Sequence, residues 1–83
     1  MSNKVKVYSA EWCAGCRVVK SALVEAGIEH VVLDVCEGEG LQDAKKYGIR
    51  SIPVTFIGDE RVNGSSVADI KKIMELYERG EEI

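Results

Sequence analysis

The chain has 83 residues, 46% of them hydrophobic and 30% charged, a balance that fits one small globular domain with a single core. Leu, Ile, Val and Phe supply 23 residues, which excludes a disordered chain. Eleven basic against fourteen acidic residues leave a net charge of -3, arguing against a nucleic-acid footprint, and three cysteines are too few for a disulfide-dense secreted scaffold.

Lys4-Val5-Lys6-Val7-Tyr8 alternates polar and apolar residues and predicts a strand. Cys16, Val19, Leu23 and Ala26 then recur at helical spacing, predicting a helix over Cys13 to Ala26 with Gly27 as its stop. His30 to Val35 reads as a second strand, with Val31, Leu33 and Val35 on one face and His30, Val32 and Asp34 on the other, followed by a Gly-rich acidic loop, Glu37-Gly38-Glu39-Gly40. A short helix is expected from Leu41 to Tyr47, closed by Gly48. Val54-Thr55-Phe56-Ile57 reads as a third strand, turned by Gly58-Asp59 into a fourth around Arg61-Val62.

The last helix carries the stripe Val67, Ile70, Ile73, Met74 and Tyr77, and Ser66 with Asp69 forms a capping-box-like start. Lys71 and Lys72 read as its solvated face, and Gly80 to Ile83 as a frayed tail. The order βαβ, helix, ββα predicts an α/β domain spanning 1–83. Its four-stranded mixed sheet has strands one and two parallel, three and four antiparallel, and helices on both faces. Met1-Ser2-Asn3-Lys4 enters the first strand without an apolar signal core, and no apolar run approaches the roughly 20 residues that cross a bilayer. The expectation is a cytoplasmic protein with no membrane or nucleic-acid partner.

In a reducing compartment, closely spaced cysteines point to catalysis or metal binding. Cys13-Ala14-Gly15-Cys16 lies where a strand passes into a helix, and the unpaired N–H groups of a helix start favour a thiolate there. Cys13, at the entrance, is expected to attack a substrate disulfide, and Cys16, on the apolar stripe, to resolve the mixed disulfide. Arg17 would assist the thiolate and Glu11 oppose it. Trp12 is read equally as an apolar contact for substrate and as a packing residue.

These residues resemble the thioredoxin and glutaredoxin family over nearly the whole chain. Ala10-Glu11-Trp12-Cys13 looks like the thioredoxin approach to the active site, Val7-Tyr8-Ser9 is closer to glutaredoxins, and Tyr47-Gly48-Ile49-Arg50-Ser51-Ile52-Pro53 resembles the segment bearing the family's cis-proline. The resemblance implies a thioredoxin-like fold, a redox-active Cys13–Cys16 disulfide, and a cis Ile52-Pro53 bond beside Cys13. It puts Trp12, Ala14, Gly15, Ile52, Pro53, Gly64 and Ser65 on the substrate surface, with the Ile52 backbone pairing with an extended substrate.

Departures from the family set the expected reductant. Glutaredoxins usually carry a lysine shortly before the first cysteine and a Gly-x-x-Asp-like segment opening the last helix to hold glutathione. Here Ser9-Ala10-Glu11-Trp12 and Asn63-Gly64-Ser65-Ser66-Val67 stand in those places, although Gly64 and Ser66 keep a carboxylate-binding helix N-terminus. The buried acid of thioredoxins is replaced by Val7. Ala14-Gly15 matches neither branch, and Gly15 is expected to make the site pliable. The mixture resembles the glutaredoxin-like hydrogen donors of ribonucleotide reductase, which implies a monomeric reductant of protein disulfides, recharged by thioredoxin reductase and donating to ribonucleotide reductase.

The alternatives are a glutathione-dependent glutaredoxin with glutathione as co-substrate, an iron–sulfur or zinc protein, and a non-catalytic docking module. For a metal set, His30 and Cys36 fall at opposite ends of the second strand, roughly 20 Å apart by strand rise, so no metal or bound cofactor is expected. Cys36 is read as a bystander, its thiolate disfavoured by Glu37 and Glu39.

Overall fold

The computed structural model describes residues 4–81. Its elements are β1 (Val5–Ser9), α1 (Ala14–Glu25), β2 (Val31–Asp34), α2 (Gly38–Lys46), β3 (Val54–Ile57), β4 (Glu60–Asn63) and α3 (Val67–Glu81). The sheet order is β2-β1-β3-β4. β1 pairs in parallel with β2, while β3 is antiparallel to both β1 and β4. The crossover and the hairpin thus stand as the element order predicts.

Side-chain alternation sorts the sheet into two faces. Val5 and Val7, with their cross-strand neighbours Ile57 and Thr55 and then Val62, face α1 and α3. There Val5, Val7, Ile57 and Val62 form the core with Val19 and Leu23 of α1, Ile28, and Ile73 of α3. Tyr8 points to the opposite face, where its hydroxyl donates to the Asp43 carboxylate of α2 at 2.8 Å and its ring meets Phe56 edge-on at 5.6 Å. Burial first, and then the Asp43 carboxylate, push the Tyr8 phenol well above its ordinary pKa.

α1 keeps the expected bounds to within a residue at each end, and its buried residues are Cys16, Val19 and Leu23. Ala26, expected on that stripe, is instead the exposed C-cap. Two bonds close the helix, Gly27 N–H to Val24 O at 3.1 Å and Ile28 N–H to Leu23 O at 3.0 Å, which turns Ile28 back into the core.

The acidic segment expected as a loop is the first turn of α2, which starts at Gly38. Gly40 is buried so tightly against the Asp34 backbone that a Cβ there would overlap the Asp34 carbonyl. Low helix propensity is overridden by this close approach of helix to strand. On α3, Ile73 is the buried centre, with Met74, Leu76 and Tyr77 packed beside it. Val67, expected on the stripe, is 83% exposed. At about 100° per residue it lies roughly 120° around the helix from Ile73. The helix also continues through Gly80 to Glu81, where a frayed tail was expected; residues 1–3 and 82–83 lie outside the described residues. Val31 and Val32 are exposed because β2 is an edge strand.

Candidate active site

Cys13 is the N-cap of α1, with extended backbone at φ -93° and ψ 109°. Its N–H donates to Ala10 O at 3.2 Å, and its Sγ accepts the Cys16 N–H at 3.1 Å. The side chain thereby satisfies one of the free donors of the helix start. Cys13 and Cys16 are joined as a disulfide, their Cα atoms 5.3 Å apart. Cys16 is 0% exposed and Cys13 only 7%. The ranking of access is as expected, but Cys13 does not stand in an open entrance, because its sulfur folds back onto the first turn.

The structure brings several of the predicted residues to these cysteines. The Ile52-Pro53 peptide bond is cis, Pro53 is buried and Ile52 half-buried. Gly64 N–H donates to Pro53 O at 3.0 Å, fastening the start of the α3 connection to the proline segment. Gly15 lies against both: a Cβ there would come 2.7 Å from Ser65 Oγ and 3.2 Å from Pro53 Cδ. Gly15 therefore serves close packing rather than the pliability expected of it. Among the described residues, no hydrogen bond is found for the Ile52 backbone N–H or C=O.

Trp12, next to Cys13 in the chain, is 74% exposed, which removes the packing reading and leaves its ring as open apolar surface. Arg17 Nη2 reaches the Glu11 carbonyl oxygen at 3.4 Å, so the guanidinium folds over the loop preceding Cys13, with the exposed Glu11 in that loop. Ala14 is exposed at the first helical position.

The expected carboxylate site at the start of α3 is occupied from within the chain. The Asp69 carboxylate accepts both the Ser66 N–H at 3.1 Å and the Ser66 hydroxyl at 2.7 Å, while the Asp69 N–H donates to Ser66 Oγ at 3.2 Å. This capping box uses the Ser66 donor and places a negative charge where an incoming carboxylate would bind.

Cys36 is exposed just beyond β2, its N–H bonded to Asp34 Oδ1 at 2.7 Å. Desolvation, then Asp34 and Glu37, push its thiol up from the ordinary value. His30 Nδ1 lies 2.9 Å from Ile28 O, at the other end of β2. Among the described residues no three His, Cys, Asp or Glu side chains stand together as a metal site. A cavity of about 460 Å³ lined by Lys4, Val5, Lys6, Glu29, His30, Val31 and Tyr77 opens at the start of β1 and includes none of the residues expected to act on or bind a disulfide substrate.

One residue near the site escaped the sequence reading. Thr55 follows Pro53 by two positions and is fully buried, yet its Oγ1 has no hydrogen-bond partner. Nothing in the pattern Val54-Thr55-Phe56-Ile57 signals this, because threonine suits a strand wherever its hydroxyl points.

A parallel βαβ unit followed by ββα, with a Cys-x-x-Cys pair at the first helix start and a cis-proline against it, defines a redoxin of thioredoxin-like fold. The Glutaredoxin family model matches residues 5–62, and the chain belongs to that family. It is 41% identical over 56 residues to the N-acetyl-S-hydroxy-L-cysteine reductase of Bacillus subtilis, covering 65% of this chain and 60% of that protein. The thioredoxin-like protein BC3987 superposes with a TM-score of 0.73 at 27% identity, over 88% of this chain and 99% of that one. The glutaredoxin-like NrdH-redoxin of Escherichia coli shares the fold, with a TM-score of 0.71 at 22% identity over 84% of this chain and 93% of that one. The chain covers only 60–66% of the curated relatives it matches.

Proposed function

We propose that this chain reduces protein disulfides through Cys13 and Cys16 and is recharged by a thioredoxin reductase. The observation that carries the reading is the contrast at the start of α1. The Cys13 sulfur receives a backbone N–H at the helix N-terminus, whereas Cys16 is sealed in the core face. A helix N-terminus favours the Cys13 thiolate, and burial keeps Cys16 from outside disulfides.

In the forward step the Cys13 thiolate attacks one substrate sulfur, and the other leaves as a thiolate that takes up a proton. Cys16 then gives up its proton and attacks Cys13 Sγ, breaking the mixed disulfide and releasing the second substrate thiol. Two electrons pass to the substrate, and the Cys13–Cys16 disulfide remains. The Ile52 backbone pairs with an extended substrate, Pro53 and Gly15 shape its bed, and Trp12, Ala14, Gly64 and Ser65 border it. Arg17 favours the thiolate and Glu11 opposes it.

The choice of reductant rests on α3. Asp69 already holds the Ser66 N–H, and Val67 offers an apolar surface beside it, an arrangement ill suited to the glutathione carboxylate. The proposed setting is the cytoplasm, with the chain acting as a monomer and ribonucleotide reductase among the disulfides served. Turnover of a protein disulfide with NADPH and thioredoxin reductase, run beside NADPH, glutathione reductase and glutathione, tests this. Turnover in the first system supports the proposal; turnover in the second alone contradicts it.

The likeness to the Bacillus subtilis reductase favours a second reading, in which the substrate is a small-molecule sulfenic acid. The same pair suffices: Cys13 attacks the S–OH sulfur, the oxygen leaves as water, and Cys16 resolves the mixed disulfide. Reduction of an S-hydroxycysteine derivative much faster than of a protein disulfide would favour that reading.

A further inference from the structure

The segment from α2 to Pro53 is fastened at both ends, to β4 and to the residue that follows it. At the far end the N–H of Gly64, just past β4, donates to Pro53 O at 3.0 Å. At the near end Arg61, within β4, donates from Nη1 to the Tyr47 carbonyl at 2.8 Å. Tyr47 is the C-cap of α2: the N–H groups of Tyr47 and Ile49 turn back to Asp43 O and Ala44 O, and the Tyr47 carbonyl is left without a helical partner. Among the described residues, no backbone hydrogen bond is found for Arg50, Ser51 or Ile52 in between. The position of Ile52 is therefore set by what holds the two ends.

Arg61 is itself held in place for this reach. It pairs with Phe56 across β3 and β4, and its guanidinium lies 5.9 Å from the centre of the Phe56 ring, which in turn meets the Tyr47 ring at 5.1 Å. Its Nε donates to Asn63 Oδ1 at 2.9 Å, so one planar fork bridges β4 and the end of α2. A cation is also favoured against the free carbonyls of a helix end. We propose that Arg61 is a positioning residue for the reduction of polypeptide disulfides: by holding the Tyr47 carbonyl it fixes where the Ile52 backbone meets an extended substrate. This rests on the protein-disulfide function proposed above. The contacts of Arg61 are to Tyr47, Phe56 and Asn63 and not to the cysteines, so its effect falls on substrate alignment.

The test compares two disulfides in a single turnover. The chain is reduced, freed of reductant and mixed with excess substrate, and conversion of the dithiol is followed by alkylation and mass spectrometry. One substrate is the disulfide-linked dimer of a short peptide with a central cysteine and blocked ends; the other is bis(2-hydroxyethyl) disulfide, which has no peptide backbone to pair. In each reaction the dithiol passes two electrons and two protons to the substrate, giving two thiols and the Cys13–Cys16 disulfide. Arg61→Met keeps an apolar stem over Phe56 and removes the donors. With the near end released, the substrate must itself order the segment on binding. The variant is expected to lower the second-order rate constant for the peptide by about two- to tenfold, the scale of one net hydrogen bond. For the small disulfide it is expected to stay within about twofold of the unaltered chain, the bound set by that same scale.

Equal rates for Arg61→Met and the unaltered chain with the peptide would overturn the proposal. So would a loss shared by both disulfides, which would place the effect on the cysteines or on the fold. An unaltered chain that reduces the small disulfide alone would overturn the protein-disulfide reading itself, and this role of Arg61 with it.

Discussion

Position 15 shows how narrowly single residues are constrained at this site. Ser65 Oγ and Pro53 Cδ stand where a Gly15 side chain would begin. Gly15→Val is expected to lower stability by about 1–3 kcal/mol through overpacking, and to slow disulfide reduction by displacing Pro53. Gly15→Ala should be milder, and Ser65→Ala should relieve part of its effect because the nearer obstacle is a side chain. Thermal melts and reductase assays on the single and double variants check this; equal loss with and without Ser65 would place the conflict at the proline.

Cys36 makes the opposite prediction. Its thiol is exposed but pushed up by desolvation, Asp34 and Glu37, so at neutral pH it should alkylate slowly beside a reduced Cys13. Cys36→Ser is expected to leave reductase activity nearly intact. A large loss would bring Cys36 into the mechanism.

Much of the site at this scale was legible in the sequence. The Cys-x-x-Cys spacing and its place before a helical stripe gave the chemistry, and resemblance supplied Pro53. Trp12 could not be assigned between surface and core, because a large aromatic suits either, and only its exposure separates them. The Gly15 contact was hidden because Ser65 and Pro53 are distant in the chain.

Among the elements, α2 depends most on its tertiary surroundings. Periodicity found its second half but not its start, since Gly38-Glu39-Gly40 has loop-like composition. The start is set by contact with the Asp34 carbonyl, which leaves no room for a side chain at Gly40. Gly40→Ala should therefore destabilise the protein, despite the higher helix propensity of alanine. A Tm equal to or above that of the unaltered chain would contradict this.

The Tyr8–Asp43 bond ties α2 to the central strand and gives the fold a pH dependence. The folded phenol holds its proton more tightly than an unfolded tyrosine, whose pKa is about 10. The bond's contribution is thus complete below pH ~10 and is lost as pH rises through the higher folded value. Alkaline unfolding, followed with tyrosinate absorbance, should be less steep in Tyr8→Phe. That variant should also lose about 1 kcal/mol at neutral pH.

For α3, the capping box was readable from Ser66 and Asp69, whereas the outward Val67 was not. A hydrophobic residue in the first turn looks the same in sequence whether it faces the core or lies about 120° away from it.

At the scale of the whole molecule, the four-strand order and both helical layers follow from alternation and element sequence. Long-range pairing adds what those rules leave open, namely that β3 joins β1 and brings Pro53 to the start of α1. The core cluster of Val5, Val7, Val19, Leu23, Ile28, Ile57, Val62 and Ile73 contains neither cysteine. A disulfide spanning a sequence separation of 3 contributes only about 2 kcal/mol by chain entropy. The fold should therefore persist when the pair opens, as repeated turnover demands. Far-ultraviolet circular dichroism of reduced and oxidised protein should agree at room temperature, with the reduced form melting about 10 °C lower.

The central claim, that Cys13 attacks and Cys16 resolves, is tested most directly by trapping the mixed disulfide. Cys16→Ser, reduced and then mixed with a protein disulfide, is predicted to accumulate a covalent adduct that peptide mass spectrometry locates at Cys13, while Cys13→Ser forms none. An adduct at Cys36, or undiminished turnover by Cys13→Ser, would contradict the account.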